Sequence, residues 1–221
     1  MTPAFRNQVT IPLPGETTLL PGSRFAQRYQ GNISYLKHLL AHSGEFMLGA
    51  FVSRQYSPGK LLERVWDGEY AGKWLDAATR SALNSQDQEF IHSVDEFAMK
   101  LRGYQQSNGF MGEPLPTDRD TDSWEVGWNL WTQWTCMIGL LTHYELMGEP
   151  KSLECATRIG DWIIQSYSPI NDDQADFLIQ GRGYTNIAVI NQMMRLYQHT
   201  GNEELPRFVE SVVQNLKPRL T

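Results

Sequence analysis

Two segments of this 221-residue chain carry one pattern, HYELMGEPKSL at residues 143–153 and LYQHTGNEEL at residues 196–205. Each places a tyrosine four residues before a glycine, then polar residues that can cap a helix, then leucine. Glycine commonly ends a helix in the left-handed conformation, and Pro150 suits the first turn of the next helix. Gly148 and Gly201 lie 53 residues apart. The pattern therefore predicts the tight turns of repeated helix pairs.

Apolar residues recur at helical spacing through most of the remaining sequence. A first helix is predicted over 23–42 and is expected to stop at Gly44, and Ser85 with Gln88 predicts a capping box at a third tight turn. The predicted helix pairs are 70–82 with 86–105, 127–147 with a helix starting at Pro150, and 184–200 with a helix ending near Leu216. Consecutive αα-hairpins of this kind form either a helical solenoid or a closed α/α toroid.

The predicted organisation is a single all-α domain over residues 1–221. Residues 1–22 form an extended arm, and residues 23–221 hold the first helix and three αα-hairpins. A six-hairpin ring with this repeat length needs roughly 320 to 380 residues. We therefore expect an incomplete ring, whose open edge is covered by a missing C-terminal half or by another copy of the chain.

Composition narrows the function classes. The 19 Lys and Arg against 25 Asp and Glu give a net charge of −6, which opposes binding to nucleic acid. No apolar run approaches the ~20 residues that span a bilayer, and no secretory signal is visible, so a cytoplasmic location without membrane attachment is expected.

Cys136 and Cys155 are expected to be reduced core thiols. His38 and His42 are one turn apart without a third ligand, so no metal site is predicted.

The long connectors between hairpins must gather at the end opposite the tight turns, and loops on a rigid scaffold usually carry function. These connectors hold most of the candidate carboxylates and lead into a helix whose tryptophans recur at helical spacing. The aromatic face is either a buried packing stripe or a platform for stacking sugar rings. The tryptophans are Trp124, Trp128, Trp131 and Trp134.

Glycoside hydrolysis requires a proton donor and a second group that acts as nucleophile or base. Asp67, Glu69 and Glu125 are the catalytic candidates, although helix caps and solvated loop charges use the same residues. Arg182 either clamps a ligand oxygen or is an ordinary surface arginine. The predicted substrate-binding set is Trp66, Asp67, Glu69, Trp124, Glu125, Trp128 and Arg182.

Four pieces of the sequence, in order, resemble the N-terminal part of the β-L-arabinofuranosidase family, glycoside hydrolase family 127. They are LLPGSRFAQRYQGNISYL from Leu19, WDGEYAGKWLDAA from Trp66, the WEVGWNLW to LLTHYELMG stretch from Trp124, and INQMMRLYQHTG from Ile190. The resemblance implies an α/α toroid that binds a sugar. The chain departs from the family where many members carry YNxGH, because it reads WTQWT and places Thr135 at the histidine position.

The resemblance further implies a cysteine nucleophile near a zinc ion and a glutamate proton donor, all from the later half of a longer chain. No cofactor is therefore expected within these residues. The leading interpretation is a carbohydrate-active protein that contributes the sugar-binding N-terminal half of a glycoside hydrolase toroid. The alternatives are a non-catalytic helical binding or scaffold module, and another toroid enzyme such as a sugar epimerase or an unsaturated-glycuronyl hydrolase.

Overall fold

The computed structural model describes residues 17–51, 68–112, 126–167 and 183–216, and within those ranges it is mostly helical. Most of the predicted extended arm, residues 1–16, lies outside the described part of the chain. Seven α-helices are described, and a 3₁₀ helix, Gly183–Ala188, precedes the sixth. Their bounds are α1 Arg24–Gly49, α2 Gly68–Ser85, α3 Gln88–Arg102, α4 Val126–Met147, α5 Pro150–Ser166, α6 Val189–Thr200 and α7 Glu204–Leu216.

The helices form two layers. The inner layer is α2, α4 and α6, in which α4 packs between its two neighbours. The outer layer is α1, α3, α5 and α7, each packing on the next. This order confirms the prediction of consecutive αα-hairpins that form part of an α/α toroid.

The tight turns follow from the repeated glycines. Gly148 and Gly201 adopt positive φ angles of 75° and 65°, and their N–H groups donate to the carbonyls of Tyr144 and Tyr197, each at 2.8 Å. The backbone carbonyl of the repeated tyrosine therefore accepts the hydrogen bond that ends the helix. The Asn202 side chain accepts from the Glu204 N–H at 3.0 Å, so a cap opens the next helix.

Two local predictions are wrong. Helix α1 does not stop at Gly44 but continues to Gly49, because Met47 and Leu48 extend its buried stripe by another turn. The cap of α3 is Asp87, whose carboxylate accepts from the Phe90 N–H at 3.0 Å. Ser85 instead donates to the Ala82 carbonyl and accepts from the Asp87 N–H.

Glycine also sets the closest contact between inner helices. A Cβ atom added at Gly72 on α2 would lie 2.0 Å from the Thr135 carbonyl oxygen on α4. Gly139 faces the same crossing, because a Cβ there would lie 2.6 Å from the Gly72 carbonyl oxygen. The two backbones therefore touch, and this contact fixes the spacing of the helices that carry the candidate site.

Candidate active site on the inner helices

The inner helices begin at the end of the fold where the long connectors arrive. Helices α2, α4 and α6 run in the same direction, since each follows a connector and ends at a tight turn. Each of these helices has one face that points away from the outer layer, and we call the three faces together the inner wall. On α2 it carries residues 69, 73, 76 and 80, which fall within about 60° around the helix axis.

Glu69 is the predicted site residue that the structure places. It lies in the first turn of α2, and its side chain is 16% exposed. Its Oε2 atom accepts the indole N–H of Trp131 from α4 and also contacts the Lys73 ammonium at 3.0 Å. Within the described part of the chain, Oε1 has no hydrogen-bond partner. The contact thus fixes one of the two carboxylate oxygens.

The aromatic face of α4 lies beside this carboxylate. The ring centroids of Trp131 and Trp134 are 4.4 Å apart and their planes are tilted by 60°. The Lys73 ammonium lies 5.7 Å from the centroid of the Trp131 ring. The indole N–H of Trp134 is buried and has no hydrogen-bond partner among the described residues. Both rings are partly buried, so they combine packing with some exposed aromatic surface.

The other predicted site residues cannot be placed. Trp66, Asp67, Trp124, Glu125 and Arg182 lie outside the described residues. Trp128 belongs to the first turn of α4, but its side chain is also outside the described part. The proposed roles of these six residues therefore stay predictions.

The connector that precedes α4 starts from a fixed point. Gln133, fully buried on α4, accepts from the Met111 N–H at 2.8 Å and donates to the Met111 carbonyl at 3.3 Å. The Gly112 N–H donates to the Tyr104 carbonyl at 3.0 Å. The acidic segment 113–125 thus follows directly from an anchored residue.

A second polar group lies on the inner wall nearer the tight turns. Thr142 on α4 donates to Asp76 and accepts from Arg80 at 3.2 Å, both on α2. It also accepts from Arg195 on α6 at 2.8 Å. One hydroxyl therefore joins all three inner helices.

Glu145 extends this group. Its Oε1 atom accepts a hydrogen bond from Arg195 Nε at 2.6 Å and lies 2.8 Å from His199 Nε2. Burial alone would raise the pKa of Glu145, but the hydrogen bonds and charges of His199 and Arg195 outweigh it and lower the pKa to about 2. The charges on this part of the wall are therefore paired with one another, which indicates a structural role.

Sequence reasoning found Glu69 and Trp131, but it missed Lys73 beside Glu69 and Arg195 in the polar group nearer the tight turns. Lys73 could have been found from the Glu69–Lys73 spacing of four residues, which places both side chains on one helix face. Arg195 could have been found from the repeat, because Thr142 lies 53 residues before it and repeated positions meet at one level of the inner layer. The bond from Trp131 to Glu69 had no comparable signal, since it depends on the α2–α4 crossing.

The comparisons with known proteins identify the family and support the fold. Residues 18–215 match the family model described as β-L-arabinofuranosidase, GH127 catalytic domain. The chain belongs to glycoside hydrolase family 127. No functionally curated protein matches the sequence significantly.

The solved structures that resemble this GH127 chain include two GH127 β-arabinofuranosidases. The GH127 β-arabinofuranosidase BT3674 has a TM-score of 0.68 and 16% identity over 91% of this chain. A GH127 β-L-arabinofuranosidase from Geobacillus stearothermophilus T6 has a TM-score of 0.64 and 17% identity over 89% of this chain. At these identities the likeness establishes the fold. The present chain spans about a third of each structure, 33% and 32% of their lengths.

The described residues do not fit the zinc and cysteine chemistry that the family resemblance implies. Among them, no group of three or more His, Cys, Asp or Glu side chains is placed to hold a metal ion. Cys136 and Cys155 are buried, and burial raises the pKa of the Cys155 thiol to about 12, which disfavours the thiolate needed for nucleophilic attack or metal binding. The rings of His38 and His42 stack on each other, with their centroids 4.0 Å apart.

Among the described residues, no helix has the length and apolar character of a membrane span.

Proposed function

We propose that the Glu69 end of the inner wall binds a sugar and forms part of a β-L-arabinofuranosidase-type glycoside hydrolase site. The observation that carries this proposal is the Glu69–Trp131–Lys73 contact at the start of two inner helices. It combines an oriented carboxylate with indole surface, the two features that sugar recognition uses: acceptors for hydroxyls and an apolar face for the ring.

Glu69 is assigned a positioning role in this proposal. Its Oε2 atom is held by Trp131 and Lys73, so the carboxylate keeps one orientation when the site is empty. Oε1 can then accept a sugar hydroxyl at little cost in side-chain entropy. Asp67 and Glu125 remain the other candidates for acid–base chemistry, since each adjoins the start of an inner helix in the sequence.

The experiment compares matched glutamates in calorimetric titrations with β-L-arabinofuranosyl disaccharides. Glu69→Gln is expected to weaken binding about tenfold, because an amide is a weaker acceptor and its NH₂ group opposes the Trp131 N–H. Glu89→Gln is the control, since Glu89 occupies the same first-turn position on outer helix α3. Equal affinities for the wild type and both variants would refute the site.

Substitutions at Trp131 separate orientation from stacking. Trp131→Phe keeps an aromatic ring but removes the donor to Glu69, whereas Trp131→Ala removes both. If the indole N–H orients the carboxylate, Trp131→Phe weakens binding about as much as Glu69→Gln, and the double variant adds little. A fully additive double variant would contradict the coupling.

A groove between α1 and α2 favours a second candidate function, a helical interaction module. Tyr35 and Tyr70, 58% and 40% exposed, line a groove of about 570 Å³ together with Leu39 and Lys73, and Lys73 is shared with the proposed sugar site. Exposed aromatic patches often mark protein contacts. If this groove is the functional surface, Tyr35→Ser with Tyr70→Ser changes the oligomeric state measured by light scattering and leaves sugar titrations unchanged.

A further inference from the structure

A buried histidine joins three helices near the tight turn between α4 and α5. The His143 side chain, on α4, is 1% exposed. Its Nε2 atom lies 2.9 Å from Asp95 Oδ1 on α3, and its Nδ1 atom lies 2.9 Å from Ser152 Oγ on α5. Arg102, also on α3, donates to Ser152 Oγ at 2.8 Å.

The Ser–His–Asp combination is the one that hydrolases use for nucleophilic attack, but here it has no access to substrate. Ser152 is 0% exposed, and Arg102 already occupies one acceptor site of its hydroxyl. A nucleophile must reach the substrate carbon, so these residues require a different explanation.

The donors and acceptors permit one arrangement of protons with every group satisfied. An ionised Asp95 accepts only, so Nε2 carries the imidazole proton and donates to it. Arg102 donates only, so Ser152 accepts from Arg102 and gives its own proton to Nδ1. The ring is therefore neutral.

Protonation of Nδ1 breaks this arrangement. Two donors, Arg102 and His143, would then face one serine oxygen, and the Ser152 hydroxyl proton would lose its acceptor in a fully buried site. A buried donor without a partner destabilises the folded state.

Burial and the carboxylates around His143 act on its pKa in opposite directions, and burial has the largest effect. Burial is the largest influence and lowers the pKa of His143, and the positive charge of Arg102 acts in the same direction. The hydrogen bond and charge of Asp95, and the charge of Glu149 in the α4–α5 turn, oppose it. The pKa of His143 is lowered below the ordinary value of 6.5.

We propose that His143 is a pH-sensitive lock, which in its neutral form ties α3 to α5 across α4 and which loses the hydrogen bond donated by Ser152 when Nδ1 is protonated. The lock is separate from the sugar site, because His143 and Ser152 lie beside the tight turn of the second hairpin, whereas Glu69 lies in the first turn of α2. Since the folded-state pKa is depressed, the stabilisation is fully present above pH 6.5 and is lost as the pH falls through the folded-state pKa.

Urea unfolding of the full chain between pH 8 and pH 5.5 tests the lock. The wild-type unfolding constant is expected to rise by up to tenfold per pH unit below about pH 6.5. His143→Gln should lose this dependence, because glutamine can donate to Asp95 and accept from Ser152 without titrating. His92→Gln, which removes a 75% exposed imidazole, is the control and should keep it. Identical pH profiles for the wild type and His143→Gln would overturn the proposal.

A second measurement applies if His143→Gln fails to fold. Nitrogen-15 NMR of the wild-type imidazole distinguishes the two tautomers and follows the titration. The expected result is an Nε2–H tautomer that titrates below pH 6.5. An Nδ1–H tautomer, or titration at or above pH 6.5, would overturn the proposal.

Discussion

Replacing Gly72 with alanine tests whether backbone contact between α2 and α4 organises the inner layer. The new Cβ atom would lie 2.0 Å from the Thr135 carbonyl oxygen, 2.3 Å from the Thr135 carbonyl carbon and 2.7 Å from the Cys136 nitrogen. Ordinary contact begins at 3.4 Å. The helices must therefore separate by about 1.4 Å, because the obstructing atoms are backbone and cannot rotate away.

The expected cost follows from that separation. Overpacking a core costs about 1–3 kcal/mol and more when no side chain can yield, while alanine in a helix recovers about 0.5–1 kcal/mol relative to glycine. The net prediction is a loss of about 3 kcal/mol from the free energy of unfolding. Such a loss is large beside the total stability of about 5–15 kcal/mol typical of a domain.

Gly31→Ala is the matched control. Gly31 is exposed within α1, and a Cβ atom there would meet nothing within 4 Å. This substitution should stabilise the chain by about 0.5–1 kcal/mol. Urea unfolding followed by far-ultraviolet circular dichroism measures both variants. A Gly72→Ala variant within about 0.5 kcal/mol of the wild type would show that the two helices do not rely on this contact.

Three further predictions concern the Glu145 ion pair, the buried Gln133 amide and the two buried cysteines. The pKa of Glu145, about 2, lies below its ordinary value of 4.5. The contribution of Glu145 to the free energy of unfolding is therefore present above pH 4.5 and is lost as the pH falls towards 2. Glu145→Gln should remove about 1–2 kcal/mol of this acid-dependent stability, measured by urea titrations at pH 5 and pH 3. Gln133→Ala should cost about 2 kcal/mol, because it leaves the buried N–H and carbonyl of Met111 without their partner; thermal unfolding measures the loss, and an unchanged midpoint would contradict it. Cys136 and Cys155 should react with Ellman's reagent only after unfolding, and rapid labelling of the native chain would contradict their burial.

Sequence patterns predicted the hairpins because the decisive signals are local. A glycine that must adopt a positive φ at Gly148 or Gly201 specifies a turn by itself, and Pro150 specifies the helix start that follows. Gly44 was misread because the same residue can also sit inside a buried helix, which only the packing of Met47 and Leu48 reveals. Asp87 was overlooked as a cap because Ser85 offered an equally good local pattern.

The site was less predictable because it depends on contacts between distant residues. Glu69 was identified from its place before an inner helix, and its role as a sugar ligand remains a prediction. The bond that orients its carboxylate comes from Trp131, 62 residues away, across a crossing that Gly72 and Gly139 make possible. Neither residue propensities nor the spacing of residues along the sequence predicts a contact between residues so far apart.

The anchoring of Met111 by Gln133 has an evolutionary consequence. Residues 113–125 join an anchored residue to the first turn of α4, so their length can change while both attachment points stay fixed. Loop closure becomes costlier only slowly, by about 0.6 kcal/mol for each doubling of length. Insertions in this segment are therefore expected to cost the helical framework little of its stability.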